Sequence, residues 1–314
     1  MNRYFAPMEG LTDSVFRRLH HTYFPGVDRY YMPFISPTMH RALTPREARE
    51  LPPADSVPFA AVPQVLTKVA DDFLWAAEQC ARLGYSEVNL NLGCPSGTVV
   101  SKGKGSGMLA DPEQLDRFLD AVFSAGSIKI SVKSRLGITD PQEFPKLLEI
   151  YNRYPIVELT LHPRVRKAFY SGSVDMDMFA YCAANSVNPV CYNGDIRNAF
   201  DIENIAKQFP TVRSVMIGRG LIGDPGMLSG GTTVPALEGM FNAMLEEYMA
   251  LFGGSRNAMF RLKEHWGFLL HRFDNSEKLG KRLRKTTDLA EYKAITQEIF
   301  HTLPLKEQFS PDWE

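Results

Sequence analysis

Glu87-Val88-Asn89-Leu90-Asn91-Leu92-Gly93-Cys94-Pro95-Ser96 is an alternating apolar run that breaks sharply at Gly-Cys-Pro. A glycine- and lysine-rich loop, Lys102-Gly103-Lys104-Gly105-Ser106-Gly107, follows it. Val88, Leu90 and Leu92 recur with period two, the spacing of a strand. Cys94 therefore stands where a strand ends and a loop begins, the place where binding and catalytic groups concentrate. A buried cysteine packing as a small hydrophobe at a turn would give the same local pattern. The rest of the chain has to decide between them.

Seven further short β-branched and aromatic runs occur at 4–8, 29–34, 61–66, 128–133, 157–162, 189–193 and 214–218. Helical stretches separate them. Asp13 is placed to cap a helix through Arg18, and Val69, Phe73, Ala76, Ala77 and Cys80 form a stripe over 68–83 that stops before Gly84. Asp111-Pro112-Glu113 and Asp140-Pro141-Gln142-Glu143 each combine a cap, a first-turn proline and an acid. Residues 38–57, rich in proline and charge, read as a long loop with one short helix. This is the βα rhythm of a parallel sheet, and eight strands is the number that closes a (β/α)8 TIM barrel.

The rhythm ends after Gly220. Gly223, Pro225, Gly226 and the Ser229-Gly230-Gly231-Thr232-Thr233 run punctuate a boundary. Beyond it, 237–252, 257–273, 276–285 and 288–302 carry helical periodicity and no strand signal. The sequence thus predicts an α/β fold: a TIM barrel over 1–228 and a small all-helical C-terminal domain over 235–314.

The 314 residues, 44% hydrophobic and 23% charged, have the make-up of a globular protein with a full core. No apolar stretch approaches the roughly 20 residues of a membrane helix, and the N-terminus reads as a short strand, not an export signal. A cytoplasmic monomer with no membrane partner is expected. Cys80, Cys94, Cys182 and Cys191 form no C-x-x-C pair and no zinc-spaced cluster with histidine, so free thiols and no metal are expected. The net charge of −1 argues against a whole-protein nucleic-acid field. A local one is open: Lys278, Lys281, Arg282, Arg284 and Lys285 crowd one segment, with Arg256, Arg261 and Lys263 upstream. A solvated helix face accounts for that run as well.

In a barrel the C-terminal strand ends line one mouth, where the chemistry sits. Here those ends carry Pro7-Met8-Glu9-Gly10, Gln64, Asn91 with Cys94, and Lys133 with Arg135. The later strands end in His162 with Arg164, Asn193-Gly194-Asp195 and Gly218-Arg219-Gly220. A bare scaffold needs none of these polar groups there, so their concentration points to an enzyme. The last two sets fall where barrels commonly hold a phosphate; glycine lets the backbone approach the anion and Arg219 adds charge. Ser131, Lys133 and Arg135 share the inward face by period two. Lys133 could stabilise an anion, form a Schiff base or bridge to an acid. The Lys102–Gly107 loop lacks the order of a nucleotide P-loop and reads as a mobile lid carrying cations.

These segments resemble those of the tRNA-dihydrouridine synthases, flavin-dependent enzymes that reduce a uridine of tRNA. The matches are APMEGLTD from Ala6, VPQVL from Val62, NLNLGCPS from Asn89, KGKGSGMLADP from Lys102, SVKSRLG from Ser131, LHPR from Leu161, YNGDI from Tyr192 and MIGRG from Met216. They run in the family's order from Ala6 to Gly220, while the helical tail matches by size and place. Glu9, LHPR and CYNGD depart from commoner spellings; Glu9 resembles the C-type bacterial branch, which leaves the choice of D-loop uridine open.

The resemblance implies FMN as cofactor, NADPH as reductant visiting the same mouth, and tRNA as substrate bound by the tail. It implies that Pro7, Met8, Glu9, Gln64, Lys133 and His162 line the flavin. Asn193, Gly194, Asp195, Gly218 and Arg219 would hold its phosphate, and Asn91, Arg164 and Tyr170 would touch the uracil. Cys94 would be the proton donor. A dihydroorotate-dehydrogenase-like flavin barrel acting on a free small molecule would share the phosphate end and Lys133 without needing the basic tail. A Schiff-base aldolase using Lys133 and an RNA-binding protein with an inactive barrel are the further alternatives.

Overall fold

The structure, a computed structural model, describes residues 1–126, 128–309 and 311. Its strands are β1 (Asn2–Phe5), β2 (Arg29–Tyr31), β3 (Ala61–Val62), β4 (Gln64–Val65), β5 (Glu87–Leu92), β6 (Lys129–Arg135), β7 (Leu159–His162), β8 (Val190–Tyr192) and β9 (Ser214–Ile217). All pair in parallel, in the order β3-β2-β1-β9-β8-β7-β6-β5-β4. The two ends of that order, β3 and β4, are consecutive pieces of one strand interrupted at Pro63. The sheet is therefore an eight-stranded barrel closed on itself.

Pro63 is the reason the third expected strand is split: it has no N–H to give a ladder. Its carbonyl still accepts from the Asn89 N–H at 2.8 Å. Across the break, Met32 donates to Val62 O at 2.9 Å and Ile35 to Gln64 O at 2.8 Å, so pairing with the β2 side continues. Several strands end earlier than the sequence suggested: residues 6–8, 32–34, 193 and 218 lie beyond the strand ends, although the Ala6, Met32 and Asn193 N–H groups still donate to the neighbouring strands. Conversely, β6 runs on to Arg135.

Asp13 caps the helix Ser14–Tyr23 through the Phe16 N–H at 3.0 Å, and the helix outruns the expected end at Arg18. Asp111 caps Pro112–Ala125 through Gln114 N–H at 2.9 Å. A Thr44/Glu47 capping box opens the short helix Pro45–Glu50 inside the 38–57 segment.

After the barrel come four long helices, Val234–Phe252, Ser255–Leu269, Glu277–Lys285 and Leu289–Thr302. Their apolar faces join the barrel's: Phe5, Phe16, Leu237, Met240, Tyr248 and Trp266 belong to one continuous buried cluster. Each fully buried side chain of this kind contributes about 1.5–3 kcal/mol. Phe16 stacks on His265 at 5.0 Å between ring centroids, and Tyr248 donates to both Asp13 oxygens at 2.8 and 2.9 Å. The core does not divide where the sequence places the domain boundary. Among the described residues no helix is long and apolar enough to cross a membrane.

Candidate active site

The barrel mouth encloses a cavity of about 440 Å³, within the roughly 300–1,000 Å³ of small-molecule sites. Pro7, Met8 and Glu9 line it from the loop after β1, Gln64 from β4, and Asn91 and Cys94 from β5 and the turn beyond. Lys133, His162 and Tyr170 add to the wall, and Asn193, Gly194, Asp195, Gly218 and Arg219 form the far end. Arg164 is the one expected site residue that is not on this wall. It is buried behind it in a forked ion pair with Asp195 (2.9 and 2.6 Å), and it also donates to Gly172 O.

A one-way chain of amides fixes the thiol turn to the barrel interior. The Gly93 and Cys94 N–H groups donate to Asn91 Oδ1 at 3.1 and 2.9 Å, and Asn91 Nδ2 donates to Gln64 Oε1 at 2.7 Å. Gln64 Nε2 donates to Asn89 Oδ1 at 2.8 Å, and Asn89 Nδ2 to Ser131 Oγ at 2.9 Å. All four side chains are buried, and a fully satisfied buried network of this kind rigidifies its members. Sequence reading found Asn91 and Gln64; Asn89 and Ser131 share their inward faces by period two, the signal that pointed there.

Arg135 is the lining residue whose role the sequence left unread. Its guanidinium donates to Gly93 O at 2.9 Å and to Phe169 O at 2.7 Å, tying the thiol turn to the loop after β7. Tyr170 on that loop lies under Arg135 (5.4 Å) and Arg219 (4.9 Å). Phe169 and Asp195 hold positive φ of 50° and 42°, backbone strain of the kind that gathers at functional sites.

The electrostatics of the mouth are one-sided. Lys133 and Arg135 line the cavity beside Arg219, Arg164 and Arg219 share the single carboxylate of Asp195, and Glu9, at the rim, pairs with Arg46. Burial, then the neighbouring Arg135, pulls the Lys133 ammonium down to about 8, and burial pulls Arg135 down to about 10. His162 is driven well below its ordinary value by burial and by these cations, so it is neutral. The Cys94 thiol is pushed up by burial, against the Ser96 N–H and the two cations, so it keeps its proton at neutral pH. A desolvated cluster with surplus positive charge fits an anionic ligand. Where Gly218 lines the cavity, an added Cβ would stand 3.1 Å from Met8 Sδ, so a side chain there would require Met8 to give by a few tenths of an ångström.

The Lys102–Gly107 loop is not a lid: Lys102 is exposed, Lys104 donates to Ser36 Oγ at 3.1 Å, and Gly105 and Ser106 are buried. The loop is held down because its glycines let it pack directly against the thiol turn. In the tail, Lys278, Lys281, Arg282, Arg284 and Lys285 are all exposed. Arg261 and Lys263 are spent internally, on Gly10 O and Thr286 O. All four cysteines are free, and no group of three or more His, Cys, Asp or Glu among the described residues is placed to hold a metal.

A closed parallel barrel with a proton-bearing thiol and clustered cations at its C-terminal mouth is an enzyme of the (β/α)8 class. Residues 4–304 match the dihydrouridine synthase (Dus) family profile, and the chain belongs to that family. By that membership it is a flavin-dependent oxidoreductase. A probable tRNA-dihydrouridine synthase of Rickettsia bellii is 29% identical over 88% of this chain and 87% of its own. One from Rickettsia conorii is 30% identical over 73% of this chain and 68% of its own. The tRNA-dihydrouridine synthase B of Pasteurella multocida is 28% identical over 71% and 67%. Among solved structures, morphinone reductase superposes with a TM-score of 0.52 at 10% identity, covering 74% of this chain and 86% of that one, a likeness of fold.

Proposed function

We propose that this chain reduces a D-loop uridine of tRNA to 5,6-dihydrouridine in the cytoplasm, with FMN as its resident cofactor, NADPH as reductant and Cys94 as proton donor. The surplus of buried cations around one cavity, with a protonated thiol at its rim, is the observation that carries this reading. FMN, when bound, supplies the hydride that uracil C6 receives.

Asn193, Gly194, Gly218 and Arg219 form the end suited to its phosphate, and Met8, Pro7, Gln64 and His162 suit a flat ring. Lys133 offers a positive charge toward that ring. Hydride addition at C6 leaves an electron pair to be protonated at C5. Cys94 Sγ–H delivers that proton, and the thiolate regains one from solvent. A thiol with a raised pKa is still fully protonated at neutral pH, which a general acid requires. Asn91, which holds the thiol turn, and Tyr170, under Arg135 and Arg219, are read as uracil contacts. Arg164 acts on Tyr170 indirectly, through Asp195 and Arg219. The target base must leave the folded RNA to reach them, at a cost of about a few kcal/mol. The exposed tail cations meet phosphates and orient the RNA.

The deciding experiment is purification followed by flavin extraction and a tRNA reduction assay with NADPH. Bound or reconstitutable FMN together with dihydrouridine in the product is expected. A colourless protein that cannot be reconstituted with FMN overturns the reading.

A further inference from the structure

The glycine-lysine loop, unused by the reaction as described, is built into the mounting of the thiol. All four main-chain polar groups of Gly93 and Cys94 have partners. Their N–H groups go to Asn91, and Gly93 O accepts from Arg135 Nε. Cys94 O accepts twice from Ser106, from Oγ–H at 2.8 Å and from N–H at 3.2 Å. Ser106 is 0% exposed. Beside it, Gly105 has φ +57°, and a Cβ there would stand 3.0 Å from Cys94 Cβ, from Cys94 O and from Val99 Cγ1. The loop thus holds Cys94 at its carbonyl, and Gly105 leaves no room for a side chain beside the carbon bearing the sulfur.

We propose that Gly105 and Ser106 are positioning residues that set where the Cys94 thiol sits over the cavity, the loop serving as the seat of the acid. This rests on Cys94 being the proton donor. With both neighbouring peptide groups fixed, rotation about the Cα–Cβ bond is the main freedom left to the sulfur. A methyl at Gly105 forces Cys94 to give by a few tenths of an ångström. Proton transfer is sensitive on that scale, since a misplacement of about 1 Å costs on the order of 10²-fold.

The test compares Gly105→Ala, Ser106→Ala and Ser106→Thr as FMN-loaded enzymes. Turnover is measured on tRNA, and Cys94 alkylation by iodoacetamide is followed across pH with mass-spectrometric assignment. Cys80, Cys182 and Cys191 are buried, so the label reports on Cys94. Gly105→Ala is expected to lose about tenfold or more in kcat and Ser106→Ala several-fold, each with KM for tRNA and flavin content unchanged. Both should shift the alkylation rate and its pH midpoint, and Ser106→Thr, which keeps the hydroxyl, should restore both readouts. If Gly105→Ala does not fold, the Ser106 pair decides alone. Alkylation profiles matching wild type in folded variants overturn the proposal. A fully active Cys94→Ala enzyme would instead sink the proton-donor reading, while shifted alkylation would still establish the seat.

Discussion

The two ends of the barrel interior are both charged and both desolvated, with opposite bias. At the foot, where the strands begin, Arg29 pairs with Glu87 at 3.0 Å and Ser214 donates to Glu158 at 2.5 Å, beneath Tyr4 and Tyr31. Burial pushes the acids up there: Glu158 titrates above its ordinary value, Tyr4 at about 12 and Tyr31 well above 10. At the mouth burial pulls cations down, Lys133 to about 8 and Arg135 to about 10. Desolvation is common to both ends, so it does not mark the site by itself. What marks the mouth is that its surplus is positive, faces a cavity and stands beside a protonated thiol.

The sharpest way to break that contrast is at the thiol. Cys94→Ala should keep its flavin and bind tRNA, yet form dihydrouridine about 10²–10⁴ times more slowly. Wild-type turnover would remove the thiol from the chemistry. Next, Lys133→Met should weaken FMN binding by about 10- to 100-fold, the worth of one charge-assisted hydrogen bond, as read by fluorescence titration of the stripped protein.

The tail widens the comparison beyond the barrel. Neutralising Lys281, Arg282, Arg284 and Lys285 together should weaken tRNA binding and flatten its salt dependence, by about 0.7–0.9 in logarithmic slope for each phosphate no longer neutralised. An unchanged slope returns that run to a solvated face.

A subtler effect is expected from pH. Lys133 is charged below about 8 and neutral above it, so the affinity of the stripped protein for FMN should fall as pH rises past that point. The decline should be at most tenfold per pH unit, and absent in Lys133→Met. The smallest effect belongs to the foot. An acid whose folded pKa is raised costs stability above its unfolded pKa, near 4.3 for glutamate. Glu158→Gln should therefore leave flavin binding unchanged and raise stability at pH 7; loss of flavin in that variant would erase the distinction between the two ends.

Local pattern made much of this legible. Period two placed Val88, Leu90 and Leu92 together on one face of their strand and Ser131, Lys133 and Arg135 on the inner face of the next, and caps at Asp13 and Asp111 located helix starts. Pro63 was visible, and the rule that proline interrupts a ladder would have split the third strand. What local pattern does not carry is the meeting of residues across long stretches of chain. Arg135 reaches Gly93 and Phe169, and Arg164 turns from the cavity to Asp195, because of how separate loops meet. Glycines and lysines describe a mobile loop and a packed one equally well, so the Lys102–Gly107 composition does not separate them. The Lys104–Ser36 bond, the Ser106–Cys94 bonds and the close approach of Gly105 to Cys94 distinguish the two.

Arg261 and His265, on the helix Ser255–Leu269, hold Gly10 O and Leu11 O, the latter at 2.8 Å, immediately after the residues that line the mouth. A protein engineer who transplants this tail to another barrel must carry that turn with it, and one who deletes the tail strips the backing from Pro7, Met8 and Glu9. Swapping helical tails among such enzymes therefore has its natural cut points on both sides of the interlock, not at the linker.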